Sequence, residues 1–334
     1  MKICIYTDVH FSQTSSIVRG NGKKYSTRLE QLIESVNWAE NLAVEHNCDA
    51  VYNLGDFVDK SSMNAQEISA ISEIQWAKVP HTCILGNHEI KDRNKDFSSL
   101  HVLKLLGFDL ITEPSEVECG NISLCYLPYM FEYKSLDEIF PDSVGKKRIV
   151  FSHNDIEGIQ LGGYIFDKGF SLVDISKSCE LFLNGHIHAY GEYGNLINLG
   201  NLCGQNFGEH NVPHRAYILD TETLELTHFE NPYALNFYKI DCTTKIKDIK
   251  LKNNAVLTIK ATEDNIEEVK NIFNNKKNVI DIKYTVVPKL INNNENKPAE
   301  DIIQIDHLQS LREYILKELG ETEVVKEELN ILTK

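Results

Sequence analysis

The chain has 334 residues, of which 42% are hydrophobic, and its 34 basic and 49 acidic side chains give a formal net charge of -15. This length exceeds the about 100 to 200 residues of a common domain, so we expect two domains or one domain with an appendage. No apolar run approaches the roughly 20 residues of a membrane span, and Asp8 comes too early for a secretory leader, so we expect a soluble, cytoplasmic protein that has no membrane partner.

Five short apolar runs predict buried strands, because polar or glycine residues bound each of them. They lie at residues 3–7, 51–54, 82–85, 149–151 and 181–183. Apolar residues at helical spacing between 29 and 43 and between 68 and 76 predict two helices. Strands that alternate with helices predict an α/β core with its functional residues at one edge of a sheet.

A polar cluster follows each of these runs. The clusters are Asp8-Val9-His10, Gly55-Asp56-Phe57-Val58-Asp59, Gly86-Asn87-His88-Glu89, Ser152-His153-Asn154 and Gly185-His186-Ile187-His188. Asp, His and Asn side chains suit Mn, Fe or Zn, and the ordered set supplies enough ligands for two ions. One cluster alone could be a turn or a helix cap, but the ordered set predicts a two-metal phosphoesterase site.

The ordered series DxH, GDxxD, GNHE, H and GHxH resembles the calcineurin-like metallophosphoesterase superfamily over residues 1 to about 230. The resemblance implies a four-layer α-β-β-α sandwich. The same scaffold serves protein phosphatases, nucleotide phosphodiesterases and nucleases, so the resemblance does not specify the substrate.

Particular roles follow from the superfamily pattern. One ion would be held by Asp8, His10, Asp56 and His188, and the second by Asp56, Asn87, His153 and His186, so that Asp56 bridges the two. Two ions about 3.5 to 4 Å apart can bind one phosphodiester and activate a water for in-line attack. His88 would point away from the metals and, when protonated, stabilise the leaving oxygen as the catalytic acid. Asp59 and Glu89 would each orient a ligand histidine, with a solvated turn as the alternative.

Three further side chains are candidates for substrate binding. Lys91 and Arg93 directly follow the Asn87-His88 turn, where they would meet a DNA backbone, with solvated loop charge as the alternative. His214 precedes Arg215 in a loop near the proposed site. The acidic net charge argues against nucleic acid but does not exclude it, since two bound divalent ions would add positive charge where phosphate must sit.

Later segments, at residues 126–130, 162–170 and 200–215, resemble SbcD-type double-strand-break-repair nucleases, and the phage branch most of all. This resemblance implies a metal-dependent DNA nuclease subunit, a 3′ to 5′ exonuclease with endonuclease activity, with two divalent ions, Mn²⁺ or Mg²⁺. Its partners would be DNA and an SMC-like, SbcC-type ATPase, with the nuclease as a homodimer within a heterotetramer. Cellular members often carry a histidine where this chain has Asp59. The alternative is a phosphatase or cyclic-nucleotide phosphodiesterase of the same superfamily.

The resemblance continues beyond this nuclease domain, residues 1–230. Residues 231–290 predict a small α+β capping domain, with strands at 256–261 and 279–287 around a helix at 265–273. A polar stretch with a proline at 291–300 suits a linker. Residues 301–334 predict a helical tail of two short amphipathic helices, which would dock on the ATPase or, alternatively, pack on the parent domain.

Overall fold

The computed structural model describes residues 1–13, 24–91, 93–143, 145–161, 164–210, 212–245 and 249–288. The predicted linker at 291–300 and the predicted tail at 301–334 lie outside the described residues. The strands are β1 (Lys2–Tyr6), β2 (Ala50–Asn53), β3 (His81–Ile84), β4 (Ile90–Lys91), β5 (Asn94–Ser98), β6 (Asp109–Ile111), β7 (Ser115–Cys119), β8 (Ile122–Leu127), β9 (Lys147–Ser152), β10 (Gln160–Leu161), β11 (Tyr164–Ile165), β12 (Leu181–Asn184), β13 (Gly191–Tyr193), β14 (Leu196–Asn198), β15 (Arg215–Asp220), β16 (Glu225–Glu230), β17 (Asn236–Asp241), β18 (Ala255–Thr262) and β19 (Val279–Val287). The helices are α1 (Thr27–Glu45), α2 (Ala65–Ile71), α3 (His101–Leu105), α4 (Leu136–Ile139), α5 (Leu172–Ser178) and α6 (Ile266–Phe273).

Two six-stranded sheets form the centre of the fold. The first has the order β16-β15-β1-β2-β3-β6, with β1, β2, β3 and β6 parallel. The second has the order β13-β14-β12-β9-β8-β7, with β14, β12, β9 and β8 parallel. Buried side chains of the two sheets pack face to face, and the hydroxyls of Tyr52 and Tyr126 meet across the interface at 2.7 Å.

Helices cover the outer faces of both sheets. The helix α1 begins at the N-cap Ser26, whose hydroxyl accepts from Leu29 N at 3.3 Å, and its apolar stripe is buried against β1 and β2. On the other side, α4 and α5 bury Leu136 and Ile175 against β9 and β12. The predicted four-layer α-β-β-α sandwich is thereby confirmed.

Within the described residues, the predicted strands and helices agree with the structure except at one helix end. All five apolar runs are strands, and residues 29–43 lie within α1. The second predicted helix is shorter than expected: α2 ends at Ile71, and Trp76 lies in the following loop, where its ring packs against Phe57 and Phe108. Among the described residues, no helix is both long enough and apolar enough to span a bilayer.

A separate small sheet follows β16. It consists of the parallel strands β17, β18 and β19, with α6 packed on β18 through Val269 and Phe273. The strands and the helix predicted between 256 and 287 are therefore present. The domain boundaries and the capping role stay predictions.

Candidate metal centre

The polar clusters lie together because the strands before them are parallel. β1, β2 and β3 of the first sheet and β9 and β12 of the second each end just before a cluster. Two glycines allow the loops to approach closely. A Cβ on Gly86 would lie 2.2 Å from Asp56 Oδ1, and one on Gly185 would lie 2.3 Å from Thr7 Oγ1. A larger residue at either position would displace the site.

Four of the predicted ligands have backbone in the left-handed region. The φ angles are 52° at Asp8, 49° at His10, 47° at Asp56 and 68° at His186. This conformation is costly for a residue with a Cβ, and such strain concentrates at functional sites. Neighbouring loops hold it in place: Asp8 N donates to Gly55 O at 3.1 Å, and His10 N donates to Asp56 O at 3.0 Å.

The first predicted group of ligands converges on a small volume. Asp8 Oδ1 lies 3.8 Å from His10 Nε2 and 3.5 Å from His188 Nε2. The two imidazole nitrogens lie 3.0 Å apart. Asp56 Oδ2 lies 3.9 Å from His10 Nε2. The structure thus brings together the four side chains predicted for one ion.

The second predicted group lies on the other side of the same carboxylate. Asp56 Oδ2 is 3.1 Å from His153 Nε2, and Asn87 Oδ1 is 3.3 Å from His153 Nε2 and 2.9 Å from His186 Nδ1. A single oxygen, Asp56 Oδ2, is therefore close to ligand-type nitrogens of both groups. That position suits the predicted bridging role.

The electrostatics of these side chains fit a pair of divalent cations. Asp8 Oδ1 is buried, and no donor in the described part of the chain hydrogen-bonds to it. Burial opposes a charge on the imidazoles, but Asp56 and Asp8 outweigh it and raise the pKa of His153 to about 9. In the same way, Asp8 and Glu209 raise the pKa of His188 to about 10. The buried carboxylates thus favour positive charge on the neighbouring imidazoles. Bound divalent ions would supply this positive charge in place of the imidazole protons.

Each of the four candidate ligand imidazoles has a hydrogen-bond partner on its second nitrogen. The pairs are His10 Nδ1 with Asp59 Oδ1 at 3.2 Å, His153 Nδ1 with Leu54 O at 2.6 Å, His186 Nε2 with Asp155 Oδ1 at 2.8 Å and His188 Nδ1 with Glu209 Oε1 at 2.8 Å. Such partners fix the orientation and tautomer of a metal-binding histidine. Asp59 has the contact predicted for it. Asp155 and Glu209 were missed, although Asp155 stands only two residues after His153.

Asp155→Asn is expected to weaken metal binding about tenfold, because a charged acceptor for His186 Nε2 is replaced by an amide. Titration of the metal-free protein with Mn²⁺ measures the effect. Asp142→Asn, on an exposed turn, is the matched control and should leave the affinity unchanged. Equal affinities in the two variants would contradict a role for Asp155 in orienting His186.

His88 lies beside the candidate ligands. Its ring contacts the His10 ring at a centroid distance of 4.7 Å, and its ligand-type atom lies within 4.8 Å of those of His10 and Asp56. The side chain is 43% exposed, and Nδ1 lies 3.0 Å from Asp59 O. His88 is therefore accessible to a substrate beside the candidate ligands, and its orientation relative to bound metals stays a prediction.

Glu89 does not contact a ligand histidine, which corrects its predicted role. Its carboxylate is fully buried and accepts from Val58 N and Gly86 N, each at 2.9 Å. Two buried loop amides need an acceptor there, so Glu89 joins the backbones of two ligand loops. Burial, with a contribution from Asp56, raises the pKa of Glu89 to about 8.

The three predicted substrate contacts differ in accessibility. Lys91 and Arg93 are exposed at the β4–β5 hairpin, where the Arg93 guanidinium lies over the Phe131 ring at 5.1 Å. His214 is only 3% exposed, and its Nδ1 lies 2.6 Å from Asn201 Oδ1. The predicted direct contact between His214 and substrate is therefore wrong for this structure, because the ring is buried and its Nδ1 is bonded to Asn201.

The chain belongs to the calcineurin-like phosphoesterase family, whose model matches residues 1–190. Members of this family use divalent metal ions, so the chain is a metal-dependent hydrolase. It is similar to exonuclease subunit 1 of Enterobacteria phage T4, with 23% identity over 240 residues, which is 70% of this chain and 68% of that protein.

The solved structures to which the chain is similar include two enzymes. One is an archaeal phosphodiesterase, at 18% identity and a TM-score of 0.37, which covers 69% of this chain and 99% of the other. The second is a dimetal phosphatase from Danio rerio, at 12% identity and a TM-score of 0.41. The match covers 69% of this chain and 98% of the phosphatase.

Proposed function

We propose that the chain is a metal-dependent DNA nuclease that hydrolyses phosphodiester bonds at the two groups of ligands around Asp56. The observation that carries the proposal is the position of Asp56 Oδ2, 3.1 Å from a nitrogen of one group and 3.9 Å from a nitrogen of the other. When bound, two ions would stabilise charge on the phosphate and lower the pKa of the attacking water.

The protein side chains have distinct tasks in this proposal. Seven ligands fix the two cations, and their outer partners fix the imidazoles. His88 donates a proton to the leaving oxygen. It is placed for this by its own backbone, since His88 N donates to Asp56 Oδ1 at 3.0 Å, and by the contact between its Nδ1 and Asp59 O.

Three observations support DNA as the substrate. The phage relative is named as an exonuclease subunit. Two exposed cations, Lys91 and Arg93, follow the Asn87-His88 turn and could contact phosphates. After Asp59 the chain continues with Lys60 and Ser61, without the arginine that phosphomonoester-binding members of the superfamily tend to carry.

The finer parts of the proposal come from the SbcD-type resemblance. We infer Mn²⁺ as the preferred ion, 3′ to 5′ polarity with additional endonuclease activity, and a homodimer within a heterotetramer that contains an SMC-like ATPase. Residues 301–334 are the segment that we assign to the ATPase.

His88→Ala is expected to lower DNA hydrolysis about 100-fold, since removal of a general acid costs roughly this much. The experiment incubates end-labelled linear duplex DNA with Mn²⁺ or Mg²⁺ and follows shortening of the labelled strand. A chromogenic phosphomonoester and a chromogenic phosphodiester are assayed in parallel. His101→Ala, at an exposed position in α3, is the matched control and should retain the wild-type rate.

Substrates labelled at the 3′ end and at the 5′ end distinguish the two polarities. A 3′ to 5′ exonuclease releases the 3′ label early and the 5′ label last. Turnover of the small esters by wild type without loss of DNA, even at high protein concentration, would contradict the nuclease proposal and favour a phosphatase or cyclic-nucleotide phosphodiesterase. Wild-type DNA hydrolysis that His88→Ala leaves unchanged would contradict only the role of His88.

A further inference from the structure

A continuous series of hydrogen bonds runs outward from His188 through three buried side chains. His188 Nδ1 lies 2.8 Å from Glu209 Oε1. Asn201 Nδ2 donates to Glu209 Oε2 at 3.0 Å, and Asn201 Oδ1 lies 2.6 Å from His214 Nδ1. The side chains of Glu209, Asn201 and His214 are all at least nine-tenths buried. Their hydrogen bonds are therefore not exchanged readily with water.

The direction of each bond follows from the Asn201 amide. Because its nitrogen donates to the Glu209 carboxylate, its oxygen faces His214, and His214 Nδ1 must be the donor. Burial lowers the pKa of His214 to about 4, so the ring is neutral. Its Nε2 is buried, and no hydrogen-bond partner for it exists among the described residues. Donation to Asn201 is thus the polar contact that the ring provides.

The outer end of the series lies where the small sheet meets the rest of the fold. His214 O accepts from Asn231 N at 2.9 Å, and Asn231 Nδ2 donates to Leu202 O at 2.9 Å. The Phe207 ring packs edge-on against Phe237 of β17, at 5.1 Å. The loop that carries Asn201 and Glu209 is therefore fixed by residues at the start of the small sheet.

We propose that Glu209, Asn201 and His214 are positioning residues for the metal ligand His188. Glu209 sets the ring orientation that presents Nε2 beside Asp8 Oδ1, Asn201 fixes the Glu209 carboxylate, and His214 fixes the Asn201 amide. His214 thus acts on the metal centre without contact with metal or substrate. The inference rests on the ligand assignment of the proposed function but not on DNA as the substrate.

Two substitutions at position 214 separate positioning from packing. His214→Asn places an amide N–H near the position of Nδ1 and keeps the donor, but it leaves a void. His214→Leu fills the space and removes the donor. Packing alone therefore predicts that the leucine variant is the more stable of the two. Positioning predicts that the asparagine variant has the higher affinity for metal.

The experiment titrates metal-free full-length protein with Mn²⁺ by calorimetry and measures thermal unfolding of the same samples. His214→Leu should weaken one of the two sites about threefold, less than the about tenfold expected for Glu209→Gln, which alters the direct partner of His188. His214→Asn should bind as wild type does. Because no DNA is present, a failure of the nuclease proposal would not alter this result.

Two outcomes would overturn the inference. The first is that affinity follows the order of thermal stability, with the leucine variant equal to or tighter than the asparagine variant. The second is that Glu209→Gln binds both ions as wild type does. Wild type without any Mn²⁺ binding would overturn the ligand assignment and this inference together, whereas metal binding without DNA hydrolysis would overturn only the nuclease proposal.

Discussion

Asp56→Asn is expected to lower metal-dependent DNA hydrolysis by about 10³- to 10⁴-fold, the equivalent of several kcal/mol of transition-state stabilisation. Asp56 Oδ2 is the oxygen close to both groups of ligands, at 3.1 Å from His153 Nε2 and 3.9 Å from His10 Nε2. Asparagine keeps the shape of the side chain and removes its charge. Without the shared carboxylate, two cations would face each other with less negative charge between them.

Metal content and turnover should therefore fall together in Asp56→Asn. Elemental analysis after equilibration with Mn²⁺ and removal of free metal gives the number of ions per chain, which should drop from two in wild type to one or none. The control is again Asp142→Asn, the same chemical change at an exposed turn. Two ions and wild-type turnover in Asp56→Asn would show that Asp56 does not bridge the site.

Arg148→Met is expected to destabilise the fold by about 3 kcal/mol, because it removes a charged donor from two backbone carbonyls and from the buried Ser143 hydroxyl. The Arg148 side chain is 1% exposed. Its guanidinium donates to Ser143 Oγ at 2.7 Å, Phe140 O at 2.7 Å and Ser178 O at 3.1 Å, and it pairs with Asp137. Asp137 is half exposed and stays solvated after the substitution, so most of the loss comes from the two carbonyls and the Ser143 hydroxyl.

Urea unfolding of Arg148→Met measures this loss as a lower midpoint at an unchanged slope. Lys147→Met is the matched control, since Lys147 is the exposed neighbour in β9 and loses only a solvated charge. Arg148 lies near the start of β9, whereas His153 follows its end, so folded Arg148→Met should keep its metal content. A free energy of unfolding equal to that of Lys147→Met would contradict the role of Arg148 in anchoring α4 and α5.

The convergence of the candidate ligands could be predicted because their positions depend on strand direction. Asp56 follows β2, and His153 follows β9, so the parallel strands before them bring both to one edge of the sandwich. The motif spacing adds the remaining ligands. The alternation of strands and helices predicted an α/β core, whereas the four layers were implied by the family resemblance.

The partners of the ligands could not be predicted in the same way. Glu209 reaches His188 from a loop 21 residues later in the chain, and that contact depends on how the loop packs against the small sheet. His214 was predicted as a substrate contact because it precedes Arg215 in a loop, but its burial depends on tertiary packing that the local sequence does not show. Glu89 accepts hydrogen bonds from backbone amides. The positions of these amides depend on loop conformation, which a motif of side chains does not predict.

The left-handed backbone at Asp8, His10, Asp56 and His186 has a consequence for protein engineering. Each such residue costs of order 1 to 3 kcal/mol, and glycine would relieve the strain. Glycine would also delete a candidate metal ligand at each of the four positions. Directed evolution towards heat resistance alone would therefore favour substitutions that remove the reaction centre, and a thermostable variant has to be selected for turnover in the same screen.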